Sequence, residues 1–230
     1  PYIIANEMTN GLKNHNIEGN VQLNYNLSDK WDFMLRSGLN YRQDFRDMKR
    51  PWGTAQYIQG YYKEQDANWL EHNTDFLVNY REQITDKIKM TVGAGGNIRK
   101  EQSNTKSTSA TGLMLPGIFK LSNALNNVYV EPNRYERQVN GLYALANFSF
   151  DDKIFLDLTA RNDWSSTLPK GNNSYFYPSV TSSFILSDIF ELPDQISFSK
   201  LRVSFAQVGS DTEPYRLRKV YSQNIFPGSV

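Results

Sequence analysis

Asn16-Ile17-Glu18-Gly19-Asn20-Val21-Gln22-Leu23-Asn24-Tyr25-Asn26-Leu27 alternates without a break. Asn16, Glu18, Asn20, Gln22, Asn24 and Asn26 are polar; Ile17, Val21, Leu23, Tyr25 and Leu27 are apolar, with Gly19 the small member of their set. Strict period two places the two sets on opposite faces of an extended strand. The run is about twice as long as a usual globular strand and suits one tilted across a bilayer.

Working outward, Ser28-Asp29-Lys30 supplies a tight turn. Trp31, Phe33, Leu35, Leu39 and Tyr41 then carry an apolar face back against Asp32, Arg36, Asn40 and Arg42. The same pattern predicts further hairpins. Leu70, Thr74, Phe76, Val78 and Tyr80 oppose Glu71, Asn73, Asp75, Asn79 and Arg81, turn at Thr85-Asp86-Lys87, and return as Ile88, Met90, Val92, Ala94 and Ile98. A third hairpin runs from Gln138 to Phe150, turns at Asp151-Asp152-Lys153, and returns as Ile154, Leu156, Leu158 and Ala160 against Phe155, Asp157, Thr159, Arg161 and Asp163. A fourth passes Val180, Phe184 and Leu186, connects through Asp188 to Ser197, and returns with Leu201, Val203 and Phe205 before Gly209-Ser210-Asp211 leads into an irregular tail.

The alternation lapses from Gln43 to Asn68 and from Lys100 to Arg134, which predicts two long irregular segments. Segments of that length argue against a compact soluble domain, whereas external loops of outer-membrane barrels are routinely long. Eight strands in four hairpins, short turns at one end and long loops at the other, predict an all-β fold: an antiparallel transmembrane β-barrel with apolar residues toward lipid and polar ones toward the lumen. With the short turns on the periplasmic side, the first strand begins and the last ends outside. A sector of a wider barrel is therefore favoured over closure as an eight-stranded one, because open edges in lipid leave backbone groups unsatisfied.

Composition narrows the function classes. Of the 230 residues 39% are hydrophobic and 13% aromatic, yet mean hydropathy is negative. Sheets wet on one side produce that combination. The 25 basic and 24 acidic residues are mixed in order, so no basic stripe points to nucleic acid. With no cysteine, thiol catalysis, disulfides and Cys-based zinc sites are excluded. His15 and His72 stand far apart without spaced carboxylate partners, so no metal site is expected. No Ser-His-Asp or paired-carboxylate arrangement is imposed by spacing; the reading is not an enzyme, with no catalytic residue and no cofactor. Val92-Gly93-Ala94-Gly95-Gly96 lacks the Lys-Ser/Thr of a phosphate loop and sits in a period-two run, which indicates close backbone packing. No apolar run of about 18 residues provides a membrane helix, and no secretion signal opens the chain.

Arg161-Asn162-Asp163-Trp164-Ser165-Ser166-Thr167-Leu168-Pro169, followed by Ser174-Tyr175-Phe176-Tyr177-Pro178-Ser179, resembles a recurring signature of the SusC/RagA family of TonB-linked (TonB-dependent) outer-membrane transporters. Softer similarity covers Leu115-Pro116-Gly117 to Leu121-Ser122-Asn123, Tyr135 to Phe150 with Ile154 to Thr159, and Lys200 to Phe205 with Gln207-Val208-Gly209. The resemblance implies that residues 1–230 form part of a larger barrel of about 22 strands with an N-terminal plug. It further implies import of oligosaccharides or peptides across the bacterial outer membrane, driven by TonB and assisted by a SusD-like lipoprotein lid. Plug, TonB box, signal peptide and C-terminal strands are not recognisable in this chain.

Arg161 and Asp163 share the lumen-facing parity, so they are candidates to hydrogen-bond a sugar or grip a peptide carboxylate; the alternative is that they pair along the inner wall and hold the rim. Trp164 is a candidate sugar-stacking residue or a girdle anchor. Trp52, Tyr57, Tyr61 and Tyr62 form an aromatic cluster for an external binding surface or lid contact, against simple loop packing. Two other functions remain open: a passive porin-like or structural barrel, and a soluble all-β binding domain whose apolar faces meet a second sheet.

Overall fold

The period-two runs become strands because β-branched and aromatic residues on one face and short polar ones on the other suit a pleated ribbon exposed to two different media. The computed structural model describes residues 7–193 and 195–217. It contains β1 (Asn10–Asn26), β2 (Trp31–Arg50), β3 (Tyr61–Thr85), β4 (Ile88–Thr111), β5 (Tyr129–Phe150), β6 (Ile154–Ser165), β7 (Ser174–Ile185) and β8 (Lys200–Ala206). A 3-10 turn, Leu121–Asn123, precedes β5, and a short helix α1, Leu186–Ile189, precedes β8. All eight strands form one sheet in sequential order, so β1 and β8 are its edges. The sheet is all-β, antiparallel and open.

The short turns are built as their residues suggest. Ser28 Oγ accepts from the Lys30 and Trp31 amides at 3.3 Å each, and Thr85 Oγ1 does the same for Lys87 and Ile88 at 3.3 and 3.1 Å. Asp151 and Asp152 adopt φ of 54° and 52°, the left-handed pair at the centre of a tight turn that the Lys153 amide closes on the Phe150 carbonyl at 3.0 Å.

The long segments differ from expectation. The stretch read as irregular from Gln43 to Asn68 is mostly strand: β2 continues to Arg50 and β3 begins at Tyr61. Likewise β4 runs to Thr111 through Ser103-Asn104-Thr105-Lys106-Ser107-Thr108-Ser109, and β5 begins at Tyr129. β3 is 25 residues long and β4 is 24. Where both faces meet water or polar neighbours, no apolar set is required. The period-two signal then disappears although the ladder continues. Of the tail after Gly209, residues 218–230 lie outside the described residues.

Contacts divide the described residues into two compact units. One draws on Pro1–Leu23, Leu35–Asp75 and Arg99–Glu136, the other on Asn24–Met34, Phe76–Ile98 and Arg137–Val230. In the first, Tyr62, Ala110 and Leu113 form a small buried core with Phe119, Leu121 and Ala124 packed on it. The side-chain amide of Asn123 ties that loop by bonding the Leu115 and Ile118 carbonyls at 2.8 Å each. In the second, β5, β6 and β7 pair in register, with Gly141 opposite Asp163 and Arg161 opposite Tyr177.

The polarity of the sheet is inverted relative to a water-soluble protein. Val21 is 78% exposed and Phe205 68%, with Leu23, Leu27, Phe33, Leu142 and Val203 also on the surface. Asp44, Asp75, Glu101, Asp163, Ser165 and Thr167 are buried. A sandwich requires a second sheet over the apolar face, and the described strands all belong to one. Arginine at Leu158, which sits between Ala146 and Val180 on the apolar face, is therefore expected to cost the membrane-inserted full-length protein about 2–4 kcal/mol. Thr159→Arg, on the opposite face, should cost under about 1 kcal/mol. The fraction folded in lipid vesicles, read by heat-modifiable gel mobility, separates the two.

Candidate functional site

Arg161 and Asp163 lie two residues apart on β6 and so share its polar face. Arg161 Nε donates to Asp163 Oδ1 at 2.7 Å, and its Nη2 donates to Asn97 Oδ1 at 2.6 Å. Tyr177 Oη donates to Asp163 Oδ2 at 2.5 Å. The guanidinium lies 5.7 Å from the Tyr143 ring centre. Both Asp163 oxygens are thus occupied in a side chain only 8% exposed. The carboxylate is committed to the wall, and the arginine is tied to Asp163 and Asn97.

Two glycines make this arrangement possible. A Cβ on Gly141 would fall 2.5 Å from Arg161, Asn97 and Asp163 alike, and one on Gly95 would meet the Tyr143 ring at 2.6 Å. The Gly93–Gly96 run is close packing of strands.

The following residues of the signature form a second cluster. Ser165 Oγ donates to Asp211 Oδ2 at 2.5 Å and Thr167 Oγ1 to the same oxygen at 3.3 Å. Arg137 grips the carboxylate from the other side, Nε at 3.1 Å and Nη2 at 2.5 Å. Ser166 completes the rim by accepting from the Gln138 amide at 2.9 Å. Tyr175 stacks on Tyr177 with centres 5.9 Å apart, and Gly209 lies so close to Tyr175 that a side chain there would strike its ring. The segment after β8 is clamped to the β6 tip by a single carboxylate. Burial pushes the Asp211 carboxyl up, but the Ser165 and Arg137 hydrogen bonds outweigh it and leave the group below its ordinary value.

Trp164 belongs to the other face. Its register partners are Asn140 and Ser174, and its neighbours by parity are Leu158, Ala160 and Asn162. It is separated by the sheet itself from Arg161 and Asp163, as period two requires. The first-loop aromatics divide similarly. Tyr57 stacks on Tyr61 at 4.5 Å and Trp52 is exposed, whereas Tyr62 turns into the small core and donates to Glu64 Oε1 at 2.9 Å. Trp52, Tyr57 and Tyr61 therefore remain on the accessible side of that loop, and Tyr62 does not.

Residues 4–215 match the family described as TonB dependent receptor-like, beta-barrel. The chain belongs to that family. It is 25% identical over 224 residues to TonB-dependent receptor P26 of Formosa agariphila, a match that covers 91% of this chain and 22% of that protein. Its fold is similar to the structure of the RagAB peptide transporter, with a TM-score of 0.78, 18% identity and coverage of 88% of this chain and 23% of that one. The RagAB peptide importer in its 'closed-closed' and 'open-open' states gives 0.77 in each case. The receptor chain described here spans less than a quarter of the length of these relatives, 22% and 23%.

In this receptor barrel the signature organises strand ends. Asp211, Arg137, Ser165 and Thr167 were not singled out by the sequence reading; the available signal was the Gly209-Ser210-Asp211 exit beside a Ser/Thr-rich tip. A carboxylate whose value is depressed on folding stabilises fully above its unfolded value and loses that contribution as pH falls through the folded one. Asp211→Asn in the full-length receptor is expected to cost about 1–3 kcal/mol at pH 7. The difference from wild type should shrink as pH falls below the ordinary carboxylate range and disappear once the pH has passed through the depressed folded value and both side chains are neutral. Denaturant titrations in detergent at neutral and acid pH check this.

Proposed function

We propose that this chain is part of the barrel wall of an energised outer-membrane importer, in which residues 1–230 form one sector of the barrel domain. The plug, the TonB contact and the remaining strands belong to the rest of the protein. Its cargo is a glycan or a peptide, and a SusD-like lipoprotein acts as an external lid over the loops carrying Trp52, Tyr57 and Tyr61. The wall itself does no chemistry. It supplies a lipid-facing surface and a polar lumen.

The observation that carries this reading is the inverted polarity: an apolar face left open beside a polar face whose charges are paired. Membership in the receptor-barrel family supports it, and the fold shared with an importer is consistent with it. A passive porin uses the same wall but needs no energy. Cells carrying the full-length receptor are expected to take up fluorescent oligosaccharide or peptide only while the proton gradient is intact. Uptake that continues undiminished after a protonophore is added would favour the passive pore and count against the importer.

A further inference from the structure

β2 continues its polar alternation beyond the apolar run, and the result is a cleft. Asn14 of β1, Asn40, Arg42, Asp44 and Arg46 of β2, and Trp69 of β3 are among the residues lining a concavity of about 700 Å³. That volume lies within the usual range for small-ligand sites. Asn40, Arg42, Asp44 and Arg46 occupy every second position and so share one face of the strand. None of this stretch beyond Arg42 carries an apolar partner set that would have marked it in the sequence.

Asp44 is the organising group. Its side chain is buried, and it accepts Arg42 Nε at 3.1 Å, Arg42 Nη2 at 3.0 Å and Arg46 Nη2 at 2.8 Å, with the Asn14 amide also donating to it. One carboxylate therefore holds two guanidinium groups in fixed orientation. The balance is one positive charge in excess. The arginine side chains are 54% and 52% exposed, and Arg42 Nη1 with Arg46 Nε and Nη1 are not spent on Asp44. Fixed, partly solvated guanidinium donors are matched in geometry to a carboxylate.

We infer that this cleft binds a carboxylate-bearing oligosaccharide, one containing uronic-acid rings. Arg42 and Arg46 take the carboxylate. The Asn14 and Asn40 amides, which both donate and accept, suit hydroxyl groups that do the same. Trp69 lines the same cleft, and its indole suits the apolar C–H side of a pyranose. An acidic peptide would satisfy the arginines and, through its backbone N–H and C=O groups, the side-chain amides, but would leave the indole without the flat C–H face that a pyranose offers. The inference rests on the importer reading and names its cargo.

The test is calorimetric titration of the purified full-length receptor in detergent with tetragalacturonate and tetramannuronate, with the methyl-esterified form of each, and with an acidic tetrapeptide. At least one uronate should bind about tenfold or more tightly than its uncharged ester. Arg46→Gln should remove that preference, Arg46→Lys should restore part of it, and Trp69→Ala should weaken acid and ester alike. Heat-modifiable gel mobility verifies that each variant is folded. Equal binding of acid and ester, absence of uronate binding, a preference unaffected by Arg46→Gln, or binding of the tetrapeptide in place of the uronates each overturns the inference. Binding is read without energy. Uronate binding by a receptor that shows no gradient-dependent uptake would sink the importer alone, and gradient-dependent uptake without Arg46-dependent binding would sink this site alone.

Discussion

A strand that crosses lipid must have every backbone group paired with a neighbouring strand, because the hydrocarbon offers no water to replace a missing partner. Everything else in this molecule follows from that ladder. With the backbone satisfied within the sheet, side chains are free to divide by solvent: Leu142, Leu158, Val180, Val203 and Phe205 on one face, Asn97, Asp157, Arg161, Asp163 and Tyr177 on the other. The buried groups are then polar and the exposed ones apolar, the reverse of a soluble core.

A polar face of this kind stays ordered only when its charges are satisfied locally. Arg36 meets Asp75 at 3.0 Å, Arg81 meets Asp32 at 2.5 Å and Arg161 meets Asp163 at 2.7 Å. Removing one partner leaves the other partly desolvated, which is the costly outcome. The Arg-Asn-Asp-Trp-Ser-Ser-Thr signature belongs to this system. Arg161 and Asp163 lock β6 to its neighbours, while Ser165 and Thr167 reach Asp211 and hold the segment after β8 against the tip. Each of these residues satisfies a different neighbour.

The strand cores were legible wherever one face met lipid, since Ile17 to Leu27 or Ile154 to Ala160 must alternate there. Legibility ended where that requirement ended. Arg42, Asp44 and Arg46, the Ser103–Ser109 run and the start of β5 extend the ladder without a continuous apolar set on either face, so the sequence looked like loop. The inward parity of Arg161 and Asp163 was readable from spacing. Their mutual saturation was not, because it depends on Asn97 and Tyr177, which register alone brings alongside. The clamp at Asp211 was hidden for the same reason: its partners come from two separate places in the chain, Arg137 on β5 and the Ser165–Thr167 tip.

The central claim, that the apolar face of this sheet meets lipid, is tested most directly by spin labels placed singly from Ile154 to Trp164 in the full-length receptor reconstituted in bilayers. Even-numbered positions are predicted to be accessible to oxygen and shielded from a water-soluble nickel relaxant, and odd-numbered positions the reverse, with a period of about two residues. Accessibility to the nickel reagent at Leu156, Leu158 and Ala160 equal to that at Asp157 and Thr159 would contradict the account.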